Sequence, residues 1–437
     1  MIFGWQGQAT LATGLMPKKG AVMHYFDELG SVVGQLWKQR NYDYRLFPEV
    51  AQAALCDLPP TQHTSLEDAA KFGLTKEPLP YQHDIAAHFG QPPLTVYLGR
   101  DFRIEVLFWI NSTPSVHQHS FSGAFSVLHG SSLHLSWGFE TEQRVTTHLF
   151  YGDVVLKHAE ILQLGDLRPI LAGDGFVHTT FHLDRPSVSV VIRTLSEEDR
   201  QPQYAYLPPT ICWDPYERIF SYRRREQLLG MLIHSDRMAE YQELINSLID
   251  TSDTYATFRY LLHAAYAVKR KETFDDLLRH AAEGHSRLIE RLSPALSRLR
   301  RQNLIVQLRE TVANPDVRFV LALLANITDK ATLLRLLKQR YMSQDPIAVL
   351  VKAVGELSAN NLLSSHFDDA WLLMLECLLN GMSDIGEISR IFKQKYASDQ
   401  VDAQDAQLRS LALTLGQFWL VRPYLQQVCS LAAKQAA

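Results

Sequence analysis

The hydrophobic pattern of this chain changes period along its length, and this change constrains the fold more than any other feature. Between residues 93 and 212 lie short runs such as "DFRIEVLFWI" and "GFVHTTFHL". Successive residues in each run are expected on opposite faces, which is the period of two that is typical of β-strands. Gly, Pro, Asp and Ser separate these runs, and no helical pattern lies between them. Residues 93–212 are therefore predicted to form an antiparallel β-sandwich or β-barrel.

The flanking regions have the period of helices. Residues 217–437 place apolar residues at i, i+3 and i+4, which predicts an all-α C-terminal domain. Its related helix starts "NPDVRFVLALLAN" and "QDPIAVLVKAVGEL" suggest stacked helical hairpins. Residues 23–92 predict an N-terminal helical segment that packs on the barrel. Residues 1–22 are predicted to be a poorly ordered leader, with Met1 and Met23 as alternative starts.

One helical stretch is rich in arginine. The run "SRLIERLSPALSRLRRQNLIVQLRE" has the spacing of an amphipathic helix. Arginines on such a helix usually belong to its solvated face, and a binding face is the alternative. We expect the solvated face.

Charge and cysteine content exclude several classes of function. The chain has 437 residues, enough for two or three domains, and a net charge of −4. This balance gives no basic surface for nucleic acid or an anionic membrane. The four cysteines lack any CxxC spacing, which argues against a disulfide framework or a thiolate zinc site. We therefore expect a cytoplasmic protein without nucleic-acid or membrane partners.

Two histidines within the predicted β region could bind a metal ion. His117 and His119 lie in "SVHQHSFSGAFSVLHG", separated by one residue. On a strand, residues i and i+2 point to the same side, so both imidazoles are expected on one face. His178 and His182 share a face in "GFVHTTFH" by the same rule. Imidazole suits iron, zinc, copper and nickel, and about three protein ligands leave open positions for chemistry.

These two stretches resemble the two conserved motifs of the cupin superfamily. "SVHQHSFSGAFSVLHG" resembles the first motif, a histidine pair followed by a strand that ends in glycine. "LGDLRPILAGDGFVHTTFH" resembles the second, where Gly175 precedes His178 by three residues. The resemblance implies a jelly-roll barrel within an α+β multidomain protein, and metal ligands His117, His119 and His178. His182 is the alternative third ligand or a residue that supports the ligands.

Within the cupins, residues 93–210 are similar to the thiol dioxygenases. That branch binds Fe(II) with three histidines, so the resemblance implies Fe(II), with Zn, Mn and Ni as alternatives. Many cupins have a glutamate ligand four or five residues after the histidine pair, but Gly123 and Ala124 stand there. A site of three histidines without glutamate is expected.

The remaining residues of the β region supply candidates for substrate binding or for support of the ligands. If their strand faces point inward, these are Arg103, Glu105, Tyr151 and Arg193. Further histidines in this region are expected to be structural, namely His129, His134, His148 and His158.

The sequence thus predicts a mononuclear iron oxygenase that uses dioxygen to oxidise a small metabolite, with a thiol or an amino-acid-like molecule as the first guess. One alternative is a non-redox metal-dependent isomerase, epimerase or lyase. Another is a ligand sensor without enzymatic activity, with the helical domain as an interaction scaffold. In each case the C-terminal helical domain is a candidate surface for a second copy of the chain or a protein partner.

Overall fold

The computed structural model describes residues 21–82, 90–110, 115–197, 202–216, 220–363, 366–396 and 405–425. The predicted leader, residues 1–22, lies outside these ranges apart from its last two residues, which begin the first helix. Met1 therefore also lies outside the described residues, and the choice between Met1 and Met23 stays a prediction.

The N-terminal segment is helical, as predicted. Its helices are α1 (Ala21–Gln39), α2 (Phe47–Asp57), α3 (Pro60–His63) and α4 (Leu66–Thr75). Ser65 caps α4, because its hydroxyl accepts a hydrogen bond of 3.1 Å from the backbone N–H of Asp68.

Two antiparallel sheets follow, and one of them closes into a barrel. The strands are β1 (Pro93–Leu98), β2 (Phe102–Trp109), β3 (Val116–His119), β4 (Gly123–His129), β5 (Ser132–Arg144), β6 (Leu149–Leu162), β7 (Leu167–Ile170), β8 (Gly173–His182), β9 (Ser187–Thr194), β10 (Ala205–Leu207) and β11 (Ile211–Trp213). The open sheet has the order β1-β2-β9-β4-β7, and the closed ring has the order β10-β11-β6-β5-β8-β3. This architecture, with helices on both sides in sequence, confirms the predicted fold class.

Alternation along the strands separates an interior between the sheets from two outer faces. In the open sheet, Ile104 and Ile192 point outward and pack against α1 and α2. Phe125 and Val191 point inward and pack with Phe121, which lies between β3 and β4. Because neighbouring residues alternate, Arg103, Glu105 and Arg193 share the inner face with these rings.

The C-terminal region is helical, as predicted. Its helices are α5 (Phe220–His234), α6 (Met238–Thr251), α7 (Thr254–Ala267), α8 (Lys271–Thr311), α9 (Pro315–Asn326), α10 (Lys330–Arg340), α11 (Pro346–Ala359), α12 (Asp369–Leu379), α13 (Ile385–Lys395) and α14 (Asp405–Gln417). Asn314 and Asp345 cap α9 and α11, each of which has proline in its first turn.

The helices pack on the outer face of the closed ring. Leu133, Leu135 and Trp137 on β5 belong to a large apolar cluster with α9, α11 and α12. A second cluster joins Leu149 and Ile211 to α6, α7 and α8. Within the described part of the chain, no helix is long and apolar enough to cross a membrane.

Candidate metal centre

Strand β3 directs two imidazoles into the interior. His117 and His119 are 6% and 7% exposed, and their ring centroids lie 4.7 Å apart. Between them, Gln118 points the other way and accepts a hydrogen bond from the hydroxyl of Tyr206. The strand parity predicted from the sequence therefore places both rings on one side.

Strand β8 supplies the third imidazole. His178 lies directly opposite His117 in the antiparallel pairing of β3 with β8. The Nε2 atoms of His119 and His178 are 2.9 Å apart. One ligand atom from each of the three histidines can be chosen so that all lie within 4.8 Å of one another. The structure thus brings together the three histidines that the sequence predicts as metal ligands.

The donor set fits a first-row transition metal. Two imidazole nitrogens that each lie about 2.1 Å from an ion, with a nitrogen–ion–nitrogen angle of about 90°, are about 3 Å apart. This distance is close to the separation of the two Nε2 atoms. Burial lowers the pKa of His119 and His178, with further lowering from the neighbouring histidines. Burial also lowers the pKa of His117, so the environment of all three rings favours the neutral imidazole, the form that binds metals.

The tautomer of His117 also suits a metal ligand. Its Nδ1 lies 2.9 Å from the carbonyl oxygen of Ser115, which can only accept a hydrogen bond. A neutral His117 therefore carries its proton on Nδ1 and keeps the lone pair on Nε2.

His182 and Tyr151 lie away from this cluster. The ring of His182 stacks on Trp109 at 4.6 Å, and its Nδ1 is 3.0 Å from the hydroxyls of both Ser132 and Ser187. Four residues of strand separate His182 from His178, a distance of about 13 Å. Tyr151 packs on the outer face of the ring with the C-terminal helices, because its parity on β6 points it away from the interior. The structure therefore assigns neither residue to the three-histidine cluster.

Arg103, Glu105 and Arg193 form a charged group on the opposite sheet. Glu105 is 3.1 Å from Arg103 and 3.7 Å from Arg193, measured from carboxylate oxygen to guanidinium nitrogen. The guanidinium of Arg193 lies 3.5 Å from the ring centroid of Phe121, and that ring is 4.5 Å from the ring of His119. The charge of Arg193 reaches the cluster, since it contributes to the lowered pKa of His119.

Sequence reasoning missed a second group behind His178. His134, predicted to be structural, places its Nε2 3.2 Å from Nδ1 of His178. Its Nδ1 lies 2.9 Å from a carboxylate oxygen of Glu160, which also pairs with Arg168. Alternation in "SLHLSW" indicates that His134 faces the same side as Ser136, but only the pairing of β5 with β6 and β8 brings these residues together.

The structure also explains why no glutamate follows the histidine pair. A Cβ atom at Gly123 would lie 2.0 Å from the carbonyl oxygen of Ile192, so a side chain does not fit there. Ala124 points outward into the apolar cluster beneath the N-terminal helices. Neither position could direct a carboxylate toward the three histidines.

No family model and no curated protein sequence matches this chain. Among solved structures, it is similar to a hydroquinone 1,2-dioxygenase from Sphingomonas sp. TTNP3, with 10% identity over 27% of this chain and 74% of that one, at a TM-score of 0.20. It is also similar to a DMSP lyase from Ruegeria pomeroyi DSS-3, with 16% identity over 41% of this chain and 94% of that one, at a TM-score of 0.22. Matches at these scores carry no argument about chemistry, which here rests on the chain's own residues.

Proposed function

We propose that this protein is a mononuclear non-haem iron oxygenase of the cupin type, which uses dioxygen to oxidise a small metabolite. The observation that carries this proposal is the cluster of His117, His119 and His178, with ligand atoms within 4.8 Å of one another inside the β-fold. Three neutral imidazoles leave further coordination positions for substrate and dioxygen. A ferrous ion held there supplies the redox chemistry that dioxygen requires. Zn, Mn and Ni are the alternative ions.

The charged group on the opposite sheet suggests the kind of substrate. Arg103 and Arg193 both pair with the carboxylate of Glu105 on the inner face of the open sheet. Arg103 and Glu105 are buried, whereas the side chain of Arg193 is 25% exposed. We assign Arg193 to binding an anionic group of the substrate, with Glu105 and Arg103 holding its guanidinium in place. A small carboxylate, including a thiol or amino acid, fits this arrangement.

Aromatic side chains give the rest of the site its character. The ring of Phe176 is 4.3 Å from that of His178, and the ring of Phe125 is 6.3 Å from it. Together with Phe121, these rings place apolar surface beside the histidines, which strengthens electrostatic interactions with a bound substrate. The proposed location is the cytosol, in keeping with Cys56, Cys212 and Cys377 as free thiols.

Metal content and oxygen consumption test the proposal. Protein purified without a histidine tag is loaded anaerobically with Fe(II), Zn, Mn or Ni, and a panel of small carboxylates and thiols is supplied with dioxygen. We expect stoichiometric iron in the wild type, loss of iron in His117→Ala, and retention in the matched control His129→Ala, because His129 is exposed at the end of β4. Oxygen consumption should depend on iron.

Two results would contradict the proposal. Equal metal content in wild type and His117→Ala would show that the metal does not bind at the assigned site. Substrate conversion with Zn, Mn or Ni and without oxygen consumption would instead assign a non-redox lyase or isomerase.

The role of Arg193 has its own test. In Arg193→Gln, loss of a charged hydrogen bond of about 1.5–3 kcal/mol should raise KM by about 10- to 150-fold for an anionic substrate. Arg193→Lys should recover part of this loss. KM for the corresponding neutral amide should be equal in wild type and Arg193→Gln; an equal rise for acid and amide would show that Arg193 does not bind the anionic group.

A further inference from the structure

A row of hydrogen-bonding groups runs from the metal cluster along the inner face of the closed ring, from β8 across β5 to β6, and ends on β7 of the open sheet. It begins at Nδ1 of His178, on the side of the ring away from His119. It passes through the ring of His134, which is 2% exposed, and continues to Glu160 on the neighbouring strand β6. It ends at Arg168 on β7, whose Nε and Nη2 donate to the two oxygens of Glu160 at 2.9 and 2.5 Å.

The chemistry of Glu160 sets the direction of the hydrogen bonds that end on it. Hydrogen bonds from Arg168 and then His134 hold the pKa of Glu160 well below its usual range, so its carboxylate is ionised and can only accept. Nδ1 of His134 must therefore carry a proton. When His134 is neutral, its Nε2 offers only a lone pair, and Nδ1 of His178, 3.2 Å away, donates to it.

This order decides which nitrogen of His178 faces the cluster with a lone pair. With its proton on Nδ1, a neutral His178 has an unprotonated Nε2, 2.9 Å from Nε2 of His119. An unprotonated Nε2 is what a metal ligand requires, and the carbonyl of Ser115 imposes the same tautomer on His117.

We propose that His134, Glu160 and Arg168 are positioning residues that fix His178 in its metal-binding tautomer before any metal arrives. With an ion bound, the ionised Glu160 would also stabilise positive charge on His178 through the ring of His134. This inference rests on the metal site of the proposed function, but not on iron, dioxygen or any particular reaction. The role assigned to these three residues requires no contact with a substrate.

The tautomer can be measured in the metal-free, full-length protein. Histidine labelled with ¹⁵N in the ring, observed by long-range ¹H–¹⁵N correlation, reports which nitrogen carries the proton. The signals of His178 are those that disappear in His178→Gln. We expect His178 to be protonated on Nδ1 in the wild type. In Glu160→Gln, the amide can donate or accept, so we expect a mixture of both tautomers.

Metal affinity provides a second readout. Competition with a chromophoric chelator, using Zn(II) or Co(II) as the probe, should show binding about 10- to 100-fold weaker in Glu160→Gln. The matched control is Glu140→Gln, which removes an exposed carboxylate from β5 and should leave affinity unchanged. His134→Gln retains an acceptor for His178 and should bind metal more tightly than His134→Phe. If His134 had only a structural role, metal affinity would not depend on whether the residue at position 134 can accept a hydrogen bond from His178.

The inference is overturned if His178 of the metal-free wild type is protonated on Nε2, or if Glu160→Gln and His134→Phe bind Zn(II) like the wild type. Glu160 is partly exposed, so its variant should fold even if His134→Phe does not. A wild type with the expected tautomer that consumes no oxygen would contradict the proposed function and leave this inference standing.

Discussion

At Gly123 the backbones of strands β4 and β9 are so close that no side chain fits between them. Its added Cβ would meet the carbonyl oxygen of Ile192 at 2.0 Å and the Cα of Arg193 at 3.0 Å. Both contacts are with backbone, which cannot rotate away as a side chain can. The same glycine therefore excludes a glutamate ligand and fixes the position of Arg193.

Gly123→Ala should lower the free energy of unfolding by about 2–3 kcal/mol, because β4 and β9 must separate. The matched control is Gly175→Ala, where the nearest atom to the new Cβ is Cβ of Leu171 at 3.5 Å, an ordinary contact. The control should change stability by less than about 0.5 kcal/mol. Urea denaturation measures both, and equal effects would contradict the role assigned to Gly123.

His182 is expected to make the free energy of unfolding decrease as the pH becomes acidic. Burial, aided by the charge of Arg309, lowers the pKa of His182 to about 3. The unfolded chain takes up this proton near pH 6.5 and the folded chain only near pH 3, so stability falls as pH falls through this window. One such proton contributes a slope of about 1.4 kcal/mol per pH unit.

Replacing this residue should therefore flatten the pH dependence. In His182→Gln, the slope of unfolding free energy against pH between pH 6 and pH 4 should decrease by about one proton. Urea denaturation at a series of pH values measures the slope separately from any constant loss of packing against Trp109. An unchanged slope would show that His182 is protonated in the folded protein.

At the scale of elements, the amphipathic pattern of α8 predicted a helix correctly, but it did not predict where the arginines of that helix lie. We expected a solvated face, but Arg301 donates to three carbonyls, those of Leu324, Trp419 and Leu420, at 2.8–2.9 Å. Arg309 likewise donates to the carbonyl of Leu183 in the barrel region. These arginines join α8 to distant segments because a guanidinium can satisfy several acceptors at once.

Arg301→Met should lower the free energy of unfolding by about 3 kcal/mol or more, since three carbonyls lose their donor. In the part of α8 that precedes its kink at His285, Arg279 has a side chain that is 77% exposed and pairs with Asp276. Arg279→Met should change stability by less than about 1 kcal/mol. Thermal and urea unfolding measure the free energy of unfolding of both variants. Equal losses would contradict the role of Arg301 as a buried donor to three carbonyls.

At the scale of the whole molecule, the barrel and the C-terminal helices share their apolar core. Leu133 and Leu135 on the outer face of β5 are fully buried within the cluster that contains α9, α11 and α12. The helical region therefore acts as part of the fold of the metal site, since β5 also carries His134 toward His178.

A fragment of residues 21–216 should consequently expose this outer face and self-associate. Size-exclusion chromatography with light scattering and binding of a hydrophobic dye measure the effect. Co-expression with residues 217–437 should restore a monodisperse complex. A soluble, monomeric fragment that melts like the intact protein would show that the barrel folds independently of the helices.

The predictions that succeeded depend on local pattern. A period of two placed His117 and His119 on one face of β3, and the helical period located the flanking regions. The placement of His134, Tyr151 and the arginines of α8 depends on partners far away in the sequence. Strand parity says only which residues share a face, so it left open which face of β6 is the inner one.

The sequence by itself determined the β-region between two helical regions, the shared face of the histidine pair, and the lack of a glutamate at positions 123 and 124. The resemblance of the second motif favoured His178 and left His182 as the alternative. Only the tertiary structure decided between them, and placed His134 against His178 and Glu160 against His134. The physical reason is register: the pairing of β3, β5 and β6 with their neighbours places these side chains within hydrogen-bonding distance, and residues far apart in sequence set that pairing.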